Sequence, residues 1–512
     1  MNSNQLKLGS LLSYTQMLLG ILIGLVYTPV MLRLLGPSEY GLYNTVSSTI
    51  AMLSVLSLGF NSSYIRYYSQ YKLRNDHKSI DRLNGLFMLI FILIGFVALS
   101  CGLYLSNNLD MVFADGLTDR EYEIARVLMI LLSVNLGLSF PMSVFTSIIS
   151  AHEKYVVLKL LAIMKTVGGP LVTLPLLLAG KGSIAMVSVT LGISTVTDLI
   201  YLVYVKKGLH CRFVFRKFEK GLFKSLLIFT SFIALNLLVD QINTNIAKFL
   251  LGRFQGTEAV AIYAVGYSLY QYYMMFSTSV SGVFAPRVHR LVQSTAQDKV
   301  LQRKELTELF TKIGRIQFTV LALIATGLIF FGKPFIHLWA GEGYELSYVV
   351  VLLLILPASI PLIQNIGIEI QRAQNNHHFR SVVYIIMALL NLFVSIYTCQ
   401  RWGVLGAVGG TAISVLLANG LTMNIYYHKR CNVDILHFWK NILRLSLGML
   451  PAIAAGIAIN RYLDLSKVLN MLLGICIYTA VYCLGMLLLG FNKYEKDLLH
   501  KPLNLIKKKL KK

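Results

Sequence analysis

Two similar stretches of sequence, LLGPSEYGLY at residues 34–43 and LLGRFQGTEAVAIY at residues 250–263, decide the predicted fold. They are 216 residues apart at the shared glycine and 220 residues apart at the final tyrosine. Two weaker matches have nearly the same spacing: Phe140-Pro141 with Ile360-Pro361, and Gly182-Ser183-Ile184-Ala185 with Gly403-Val404-Leu405-Gly406. Because the matches share nearly one offset, they indicate an internal duplication of the chain.

The composition is that of a membrane protein. Of the 512 residues, 56% are hydrophobic and only 14% are charged, and the mean hydropathy is +0.65, which is too apolar for a soluble globular chain. A helix of about 20 apolar residues crosses hydrocarbon, and such stretches recur along the sequence. They predict an all-α integral membrane protein with about fourteen transmembrane helices, near residues 10–32, 41–64, 83–105, 125–148, 157–179, 183–205, 225–250, 259–284, 314–335, 346–370, 380–399, 404–427, 443–460 and 468–490.

Six predicted spans separate the two copies of the repeated stretch. An even number of spans restores the direction in which the chain crosses the membrane, so the copies are parallel repeats related by an axis along the membrane normal. We therefore predict four parts: a six-helix N-lobe at residues 1–210, a six-helix C-lobe at residues 211–430, two further helices at residues 431–490, and a basic cytoplasmic tail at residues 491–512.

The formal net charge of +24 is spread over alternate loops and does not form one basic face, which argues against a nucleic-acid partner. Most Lys and Arg residues fall in the even-numbered connections and in the tail, so the positive-inside rule places both termini in the cytoplasm. The connection at residues 206–224 alternates basic and aromatic residues in CRFVFRKFEK, residues 211–220. This pattern is typical of a segment that lies on anionic lipid.

Span 7 carries polar residues where a membrane helix is normally apolar. At 100° per residue they form two neighbouring stripes, the first with Asn236, Asp240 and Asn243 and the second with Gln241, Asn245 and Lys248. An Asp or Lys at mid-bilayer costs about 2.5 to 3.5 kcal/mol, so such residues usually face a bundle interior or a water-filled path. The stripes predict either a wide hydrated face or a polar seam packed against neighbouring helices.

Other ionisable residues of the first lobe are candidates for the same path. Lys165 lies in span 5 just before Gly168-Gly169-Pro170, where we expect a broken helix with free carbonyl groups. Asp198 in span 6 is the most suitable partner of Lys165, and the two form either part of a cavity or a neutral structural ion pair. Arg66 is either a topology-determining charge or the inner lip of a cavity.

The second lobe adds two candidates. Gln271 lies in the tyrosine-rich span 8, whose rings either pack against other helices or stack on sugars. Glu369 lies near the inner end of span 10 and is followed by Gln371-Arg372. Its carboxylate is either half of an interfacial pair or an ion site.

Motifs for chemical catalysis are missing from the sequence. There is no phosphate-binding G-x-x-x-x-G-K-[ST], no H-E-x-x-H and no CxxC pair among the six cysteines. We therefore predict no enzyme, no metal and no cofactor other than a coupling ion, H⁺ or Na⁺. The short outer loops weaken the alternative of a membrane-embedded glycan transferase or polymerase, and a secondary transporter or flippase is left.

Two segments, LLGPSEYGLYN (34–44) and NLFVSIYTCQRWGVLGAVGGTAIS (391–414), resemble the corresponding hairpins of bacterial polysaccharide flippases. These belong to the multidrug/oligosaccharidyl-lipid/polysaccharide (MOP) exporter superfamily, and the resemblance implies a MATE/MurJ-like fold. It further implies that the chain flips an undecaprenyl-diphosphate-linked oligosaccharide from the inner to the outer leaflet of the cytoplasmic (inner) membrane by alternating access. Membrane lipids and other polysaccharide-assembly proteins are then the expected partners.

The same resemblance implies roles for the candidate residues. It assigns the diphosphate to Arg66, Lys165 and Lys248, the sugar or an ion to Asn236, Asp240, Asn243 and Gln271, and the prenyl chain to spans 13 and 14. The deep acids Asp198, Asp240 and Glu369 are candidates for ion coupling, because an ion that binds two conformations differently biases one of them. The alternative within the superfamily is a drug/cation antiporter, for which an anionic interior is expected, and the balance of deep acids and bases does not clearly favour it.

Overall fold

The computed structural model describes residues 3–113, 117–216 and 221–497, and within these ranges all regular secondary structure is helical. The helices are α1 Ser3–Met52, α2 Phe60–Leu73, α3 His77–Asn107, α4 Asp119–Ala151, α5 Tyr155–Leu178, α6 Gly182–Val203, α7 Leu222–Phe254, α8 Thr257–Ser294, α9 Lys299–Ala340, α10 Glu345–Ile363, α11 Ile366–Ala373, α12 His377–Val415, α13 Asn424–Arg430, α14 Ile435–Ser446, α15 Leu450–Tyr462 and α16 Val468–Gly485. Short 3-10 or π turns lie at Leu53–Ser57, Leu109–Met111, Tyr204–Gly208, Leu416–Met423, Leu447–Met449 and Met486–Gly490. Residues 217–220 of the predicted linker and residues 498–512 of the predicted tail lie outside the described residues.

Two long helices are sharply kinked, and each contains parts of two predicted spans. The chain turns at Gly36 in α1 (φ 75°) and at Gly403 in α12 (φ 54°), a conformation that glycine adopts without a Cβ clash. Ten helical stretches of the described chain are long and apolar enough to cross a membrane, and two of them, Leu8–Leu73 and His378–Arg430, each cover two predicted spans. With α7 and α8, which match spans 7 and 8, the prediction of about fourteen membrane helices is confirmed.

The backbone repeats itself at residues whose φ is positive. Four pairs of such residues recur at offsets of 220 to 222 residues: Gly36 with Gly256, Glu153 with Asn375, Gly182 with Gly403, and His210 with Asn432. Each pair lies at the same junction between helices in the two halves of the chain. Because positive φ is uncommon outside glycine, this recurrence supports two copies of one six-helix repeat. The lobe limits at residues 210 and 430 stay a prediction.

Contacts group the described helices into two compact units. The first unit contains the chain up to Ala264 together with Asn391–Ala407. The second unit contains Val265–Leu390 and the chain from Val408 onwards. The N-terminal turns of α8 and a central part of α12 therefore pack with the first unit.

The core of the first unit contains a cluster of aromatic rings. Phe87 and Phe91 on α3 are fully buried, and each has its ring centroid 6.2 Å from that of Phe60 on α2. Phe140 on α4 stacks on Phe91 at 6.5 Å. Such pairs contribute about 0.5–1.5 kcal/mol each beyond the burial of their area. They hold α2 between α3 and α4 and so position Asn61, the second residue of α2, for the site described below.

The repeated stretch at residues 34–43 forms the connection at which α1 kinks. Its Glu39 carboxylate accepts a hydrogen bond of 2.5 Å from the backbone N–H of Ser183 in the first turn of α6, where the helix dipole stabilises an anion. A Cβ atom on Gly41 would lie 1.8 Å from the carbonyl oxygen of Thr257, so a residue with a side chain does not fit there. The motif therefore joins α1 to the N-terminal turns of α6 and α8.

Candidate substrate site

The first polar stripe of span 7 lies on an open face of α7. Asn236, Asp240 and Asn243 are all exposed, at the four- and three-residue spacing of one helical face. An exposed carboxylate within hydrocarbon costs about 2.5 to 3.5 kcal/mol, so this face needs water or a polar ligand beside it. Of the two alternatives that the sequence leaves open, a hydrated face fits this stripe.

The second polar stripe packs inside the first unit. Asn245 is buried and donates a hydrogen bond of 2.6 Å from Nδ2 to the side-chain oxygen of Gln241. Lys248, one turn further along, is partly buried. For this stripe the polar seam that the sequence left open as the alternative fits, because the buried Asn245 amide donates to a side chain of its own helix.

A buried asparagine on α12 contacts the end of the first stripe. Asn391 is 1% exposed, and its Nδ2 lies 3.5 Å from Oδ1 of Asn243. The Asn391 side-chain oxygen accepts a hydrogen bond of 2.9 Å from the hydroxyl of Ser395. At 3.5 Å the contact with Asn243 is weak, but it orients that amide from the protein side and leaves the rest of the side chain exposed.

A polar cavity of about 230 Å³ lies beside Gln241. Its polar lining consists of Ser54, Ser57, Asn61, Ser139 and Ser143 together with Gln241. The Asn61 side-chain oxygen accepts hydrogen bonds from Ser143 at 3.4 Å and Ser147 at 3.1 Å. Uncharged hydroxyl and amide groups of this kind can bind water or the hydroxyl groups of a sugar.

This cavity was not predicted from the sequence, although span 4 contains one signal for it. Ser139, Ser143 and Ser147 recur every four residues in span 4 and therefore lie on one face of a helix. Serine is common in membrane helices as a packing residue, which is why the spacing alone did not indicate a cavity.

Lys165 and Asp198 form the ion pair that the sequence suggested. The Lys165 Nζ lies 3.3 Å from Oδ1 of Asp198, and the two side chains are 35% and 14% exposed. Paired charges of this kind are the usual form in which Lys and Asp occur within a membrane span. The pair joins α5 to α6 and leaves no net charge at this point.

A second cavity, of about 270 Å³, lies beside Lys165. Polar groups from α1, α5 and α6 line it, namely those of Tyr27, Tyr43, Lys165, Thr173, Thr190 and Ser194. The expectation of a broken helix at Gly168-Gly169-Pro170 is wrong, because α5 is continuous from Tyr155 to Leu178. Proline is tolerated within a membrane helix where neighbouring groups satisfy the backbone. Gly169 and Pro170 nevertheless line this cavity, so the expected space beside them is present.

Three of the residues predicted from the sequence remain, namely Arg66, Gln271 and Glu369. Arg66 is exposed on α2 of the first unit. In the second unit, Gln271 donates a hydrogen bond of 2.9 Å to the hydroxyl of Tyr267. Glu369 is paired with Arg372, with 2.7 Å between Oε1 and Nη1, which is the interfacial pair that the sequence offered as one alternative.

The part of the chain that the structure describes contains no group of three or more His, Cys, Asp or Glu side chains able to hold a metal ion. All six cysteines are free thiols. Internal repeats and polar sites within the spans are features from which many membrane transporters are built.

The chain belongs to the polysaccharide biosynthesis protein family, whose family model matches residues 8–292. A search of curated protein sequences found no match. Among solved structures, the chain is similar to the lipid II flippase MurJ in an inward closed conformation, with a TM-score of 0.71 and 17% identity over 96% of this chain and 99% of that chain.

Multidrug transporters have the same fold. The chain is similar to the MATE multidrug transporter DinF-BH, with a TM-score of 0.57 and 15% identity over 83% of this chain and 96% of that chain. It is also similar to a MOP superfamily transporter from Pyrococcus furiosus, with a TM-score of 0.51 and 14% identity over 83% and 96% of the two chains. The predicted family and the MATE/MurJ-like fold are confirmed.

Proposed function

We propose that the protein is a flippase that moves an undecaprenyl-diphosphate-linked oligosaccharide from the inner to the outer leaflet of the cytoplasmic membrane by alternating access. The observation that carries the proposal is the exposed stripe of Asn236, Asp240 and Asn243 on a membrane helix of a polysaccharide biosynthesis family member. In this function both termini are cytoplasmic, and no covalent bond is made or broken, so the protein is not an enzyme.

The polar groups of the first unit suit the head of such a substrate. Amides of the exposed stripe and the serine-lined cavity offer donors and acceptors to sugar hydroxyls. The diphosphate carries about two negative charges, which Lys or Arg side chains stabilise through charge-assisted hydrogen bonds. In the first unit these are Lys165, Lys248 and Arg66. Within the second unit, Gln271 stays a candidate for sugar, and spans 13 and 14 stay candidates for the prenyl chain.

The Lys165–Asp198 pair suggests how an ion is coupled to transport. A lysine that is paired with Asp198 at 3.3 Å is already neutralised and binds a diphosphate weakly. When H⁺ or Na⁺ binds Asp198, the ammonium group becomes available to the substrate. Asp240 and Glu369 are the other candidate ion sites, and Asp240 has the exposed carboxylate that such a role requires.

The proposed function is tested by deleting the gene and following lipid-linked oligosaccharide in the two leaflets. We expect the oligosaccharide to accumulate on the cytoplasmic leaflet and surface glycan to be lost. Reintroduction of the wild-type gene restores export. If the lipid-linked oligosaccharide reaches the outer leaflet at the normal rate without the gene, the proposal is wrong.

Point variants test the site itself. Asp240→Leu and Asn243→Leu remove the polar stripe, and Lys165→Ala and Lys248→Ala remove the cations. We expect each to reduce glycan export at normal protein abundance. Leu238→Ala, which changes an exposed apolar residue of the same helix, is the matched control and keeps export. Normal export by all four variants would exclude this site.

The exposed Asp240 also favours a second candidate, a drug/cation antiporter. Asp198 is already paired with Lys165. The Asp240 carboxylate is exposed and is therefore accessible to an organic cation. A dye-efflux assay separates the two functions. A flippase loses glycan export in the Asp240→Leu variant with unchanged dye efflux, whereas an antiporter loses dye efflux with unchanged glycan.

A further inference from the structure

The described part of the linker after α6 is fixed along α3 in the first unit. The backbone N–H of Val214 donates a hydrogen bond of 3.0 Å to the carbonyl oxygen of Asp81. A Cβ atom on Gly85 would lie 2.1 Å from the Val214 carbonyl oxygen, so the linker backbone lies directly on the α3 backbone. Residues 209–216 are thus a defined wall.

The side chains of Asn84 on α3 and Phe145 on α4 contact the same segment. Asn84, which is 1% exposed, donates a hydrogen bond of 3.0 Å to the carbonyl oxygen of Arg212 and accepts one of 2.7 Å from the hydroxyl of Tyr64. The ring of Phe213 packs edge-on against Phe145 of α4, with centroids 5.9 Å apart. The linker is therefore anchored by a buried amide and an aromatic contact.

An open groove of about 990 Å³ lies between this wall and helices α3 and α4. Its floor is apolar and includes Met88, Ile92 and Met142, and Ile92 is 49% exposed, as expected where a helix faces lipid. Its linker side carries Lys206, His210 and Arg212, and none of the described residues that line it is acidic. The groove thus combines an apolar trough with a cationic edge.

We propose that this groove binds one anionic phospholipid, with an acyl chain on the apolar floor and the phosphate at Lys206 and Arg212. Both cations are exposed and therefore available to a headgroup. With the proposed cytoplasmic termini, the lipid comes from the cytoplasmic leaflet, in which anionic lipids attract basic segments next to a membrane helix. The groove is built from α3, α4 and the linker, and its residues are distinct from those proposed for the transported substrate.

The two cations at the edge of the groove, Lys206 and Arg212, determine how strongly the groove is expected to prefer an anionic lipid. A Lys or Arg near an anionic surface raises lipid affinity about fivefold, so the two cations together raise it about 25-fold over a zwitterionic lipid with the same chains. The apolar floor contributes equally to both lipids, because it contacts only the acyl chain.

The test is native mass spectrometry of the full-length protein in detergent with equal amounts of phosphatidylglycerol and phosphatidylcholine of identical chains. Wild-type protein is expected to retain phosphatidylglycerol preferentially. The Lys206→Ala/Arg212→Ala double variant is expected to lose at least fivefold of that preference. The control Arg303→Ala/Lys304→Ala removes two exposed cations from α9 and keeps the preference. A double variant with the wild-type preference overturns the proposal.

A second variant tests the floor of the groove. Met142→Trp fills the apolar trough and is expected to reduce retention of both lipids by a similar factor, while the elution volume in size-exclusion chromatography stays that of the wild type. Addition of undecaprenyl phosphate distinguishes the occupant. If it displaces phosphatidylglycerol from the wild-type groove at equal concentration, the groove is a substrate site and the proposal is wrong.

Discussion

The pair of Arg315 and Glu495 gives the sharpest test of how the C-terminal helices are attached. The two side chains are almost fully buried in the second unit, and the guanidinium binds both carboxylate oxygens, at 2.6 Å from Nε and 2.7 Å from Nη2. The guanidinium also donates to the carbonyl oxygens of Asn441 and Gly490, each at 3.0 Å. This one side chain of α9 therefore holds α14, the turn after α16 and the last described helical turn.

The size of the effect follows from the burial of the pair. Glu495→Gln leaves a buried guanidinium without its counter-charge, and removal of one partner of a buried pair typically costs about 3–5 kcal/mol. Arg315→Met/Glu495→Gln removes both charges, and replacement of a buried pair by apolar residues is often neutral or stabilising. The carbonyl groups of Asn441 and Gly490 lose a donor in this variant, but no charge is left buried without a partner. We therefore expect the double variant to be more stable than Glu495→Gln alone, although it carries one more substitution.

The assay is the thermal midpoint of the full-length protein in detergent, measured by the loss of the native size-exclusion peak. Arg372→Met is the control, since it removes the 61%-exposed partner of Glu369, and exposed pairs contribute about 0–1 kcal/mol. Its midpoint should stay close to that of the wild type. A double variant that unfolds below Glu495→Gln would refute the reasoning, because it would mean that the hydrogen bonds from the guanidinium to Asn441 and Gly490 outweigh the cost of its unpaired charge.

Three further predictions concern the packing of two glycines and two hydrogen-bonded side chains of the first unit. Gly41→Val is expected to destabilise the fold by about 1–3 kcal/mol or more, because its Cβ would overlap the Thr257 backbone. Gly327→Ala has open space around the new Cβ and should gain about 0.5–1 kcal/mol of helix stability. The thermal midpoints of the two variants check this. Burial lowers the pKa of His152, whose neutral ring donates to the carbonyl oxygen of Ile148 and accepts from Tyr68. The stability that neutral His152 contributes is present above its ordinary pKa of 6.5 and is lost as the pH falls through its pKa in the folded protein. The thermal midpoint of the wild type relative to that of His152→Gln should therefore decrease between pH 7.5 and pH 5. A constant difference would contradict this. Asn84→Ala leaves the Arg212 carbonyl and the Tyr64 hydroxyl unpaired, at about 1–3 kcal/mol, and should speed tryptic cleavage after Arg212, while Asn108→Ala on an exposed helix end should not.

The sequence predicted the helices and their duplication because both depend on local properties. Length and apolarity set the spans, and Gly36 and Gly403 occupy positions where the backbone turns with positive φ. The sequence did not predict that Glu153 and Asn375, or His210 and Asn432, would share this conformation at the same offset. These residues differ in type between the copies, so the repeat is more visible in the backbone than in the side chains.

The candidate site was predicted only in part, because a polar residue in a membrane helix has two physical solutions. Asn243 remains exposed, whereas Asn245, two residues later, turns inward and pairs with Gln241. The same type of side chain at nearly the same depth thus has opposite surroundings, decided by which helices pack against each face. Periodicity gives the faces of α7, but not the identity of their neighbours.

The Lys165–Asp198 pair also shows why charge counting alone could not decide between a lipid-linked anion and an organic cation. Two opposite charges paired at 3.3 Å add no net charge to a cavity, so the number of acids and bases in the sequence overstates the charge that a ligand meets. In the proposed site, a substrate meets the exposed groups, chiefly Asp240 and the amides beside it, together with any charge that the transport cycle releases. In the proposed flippase, an ion on Asp198 and a diphosphate on Lys165 strengthen each other's binding by the same factor, since coupling between two sites is reciprocal. The cationic character of the site is then a property of one state of the cycle, and the composition of the spans does not reveal it.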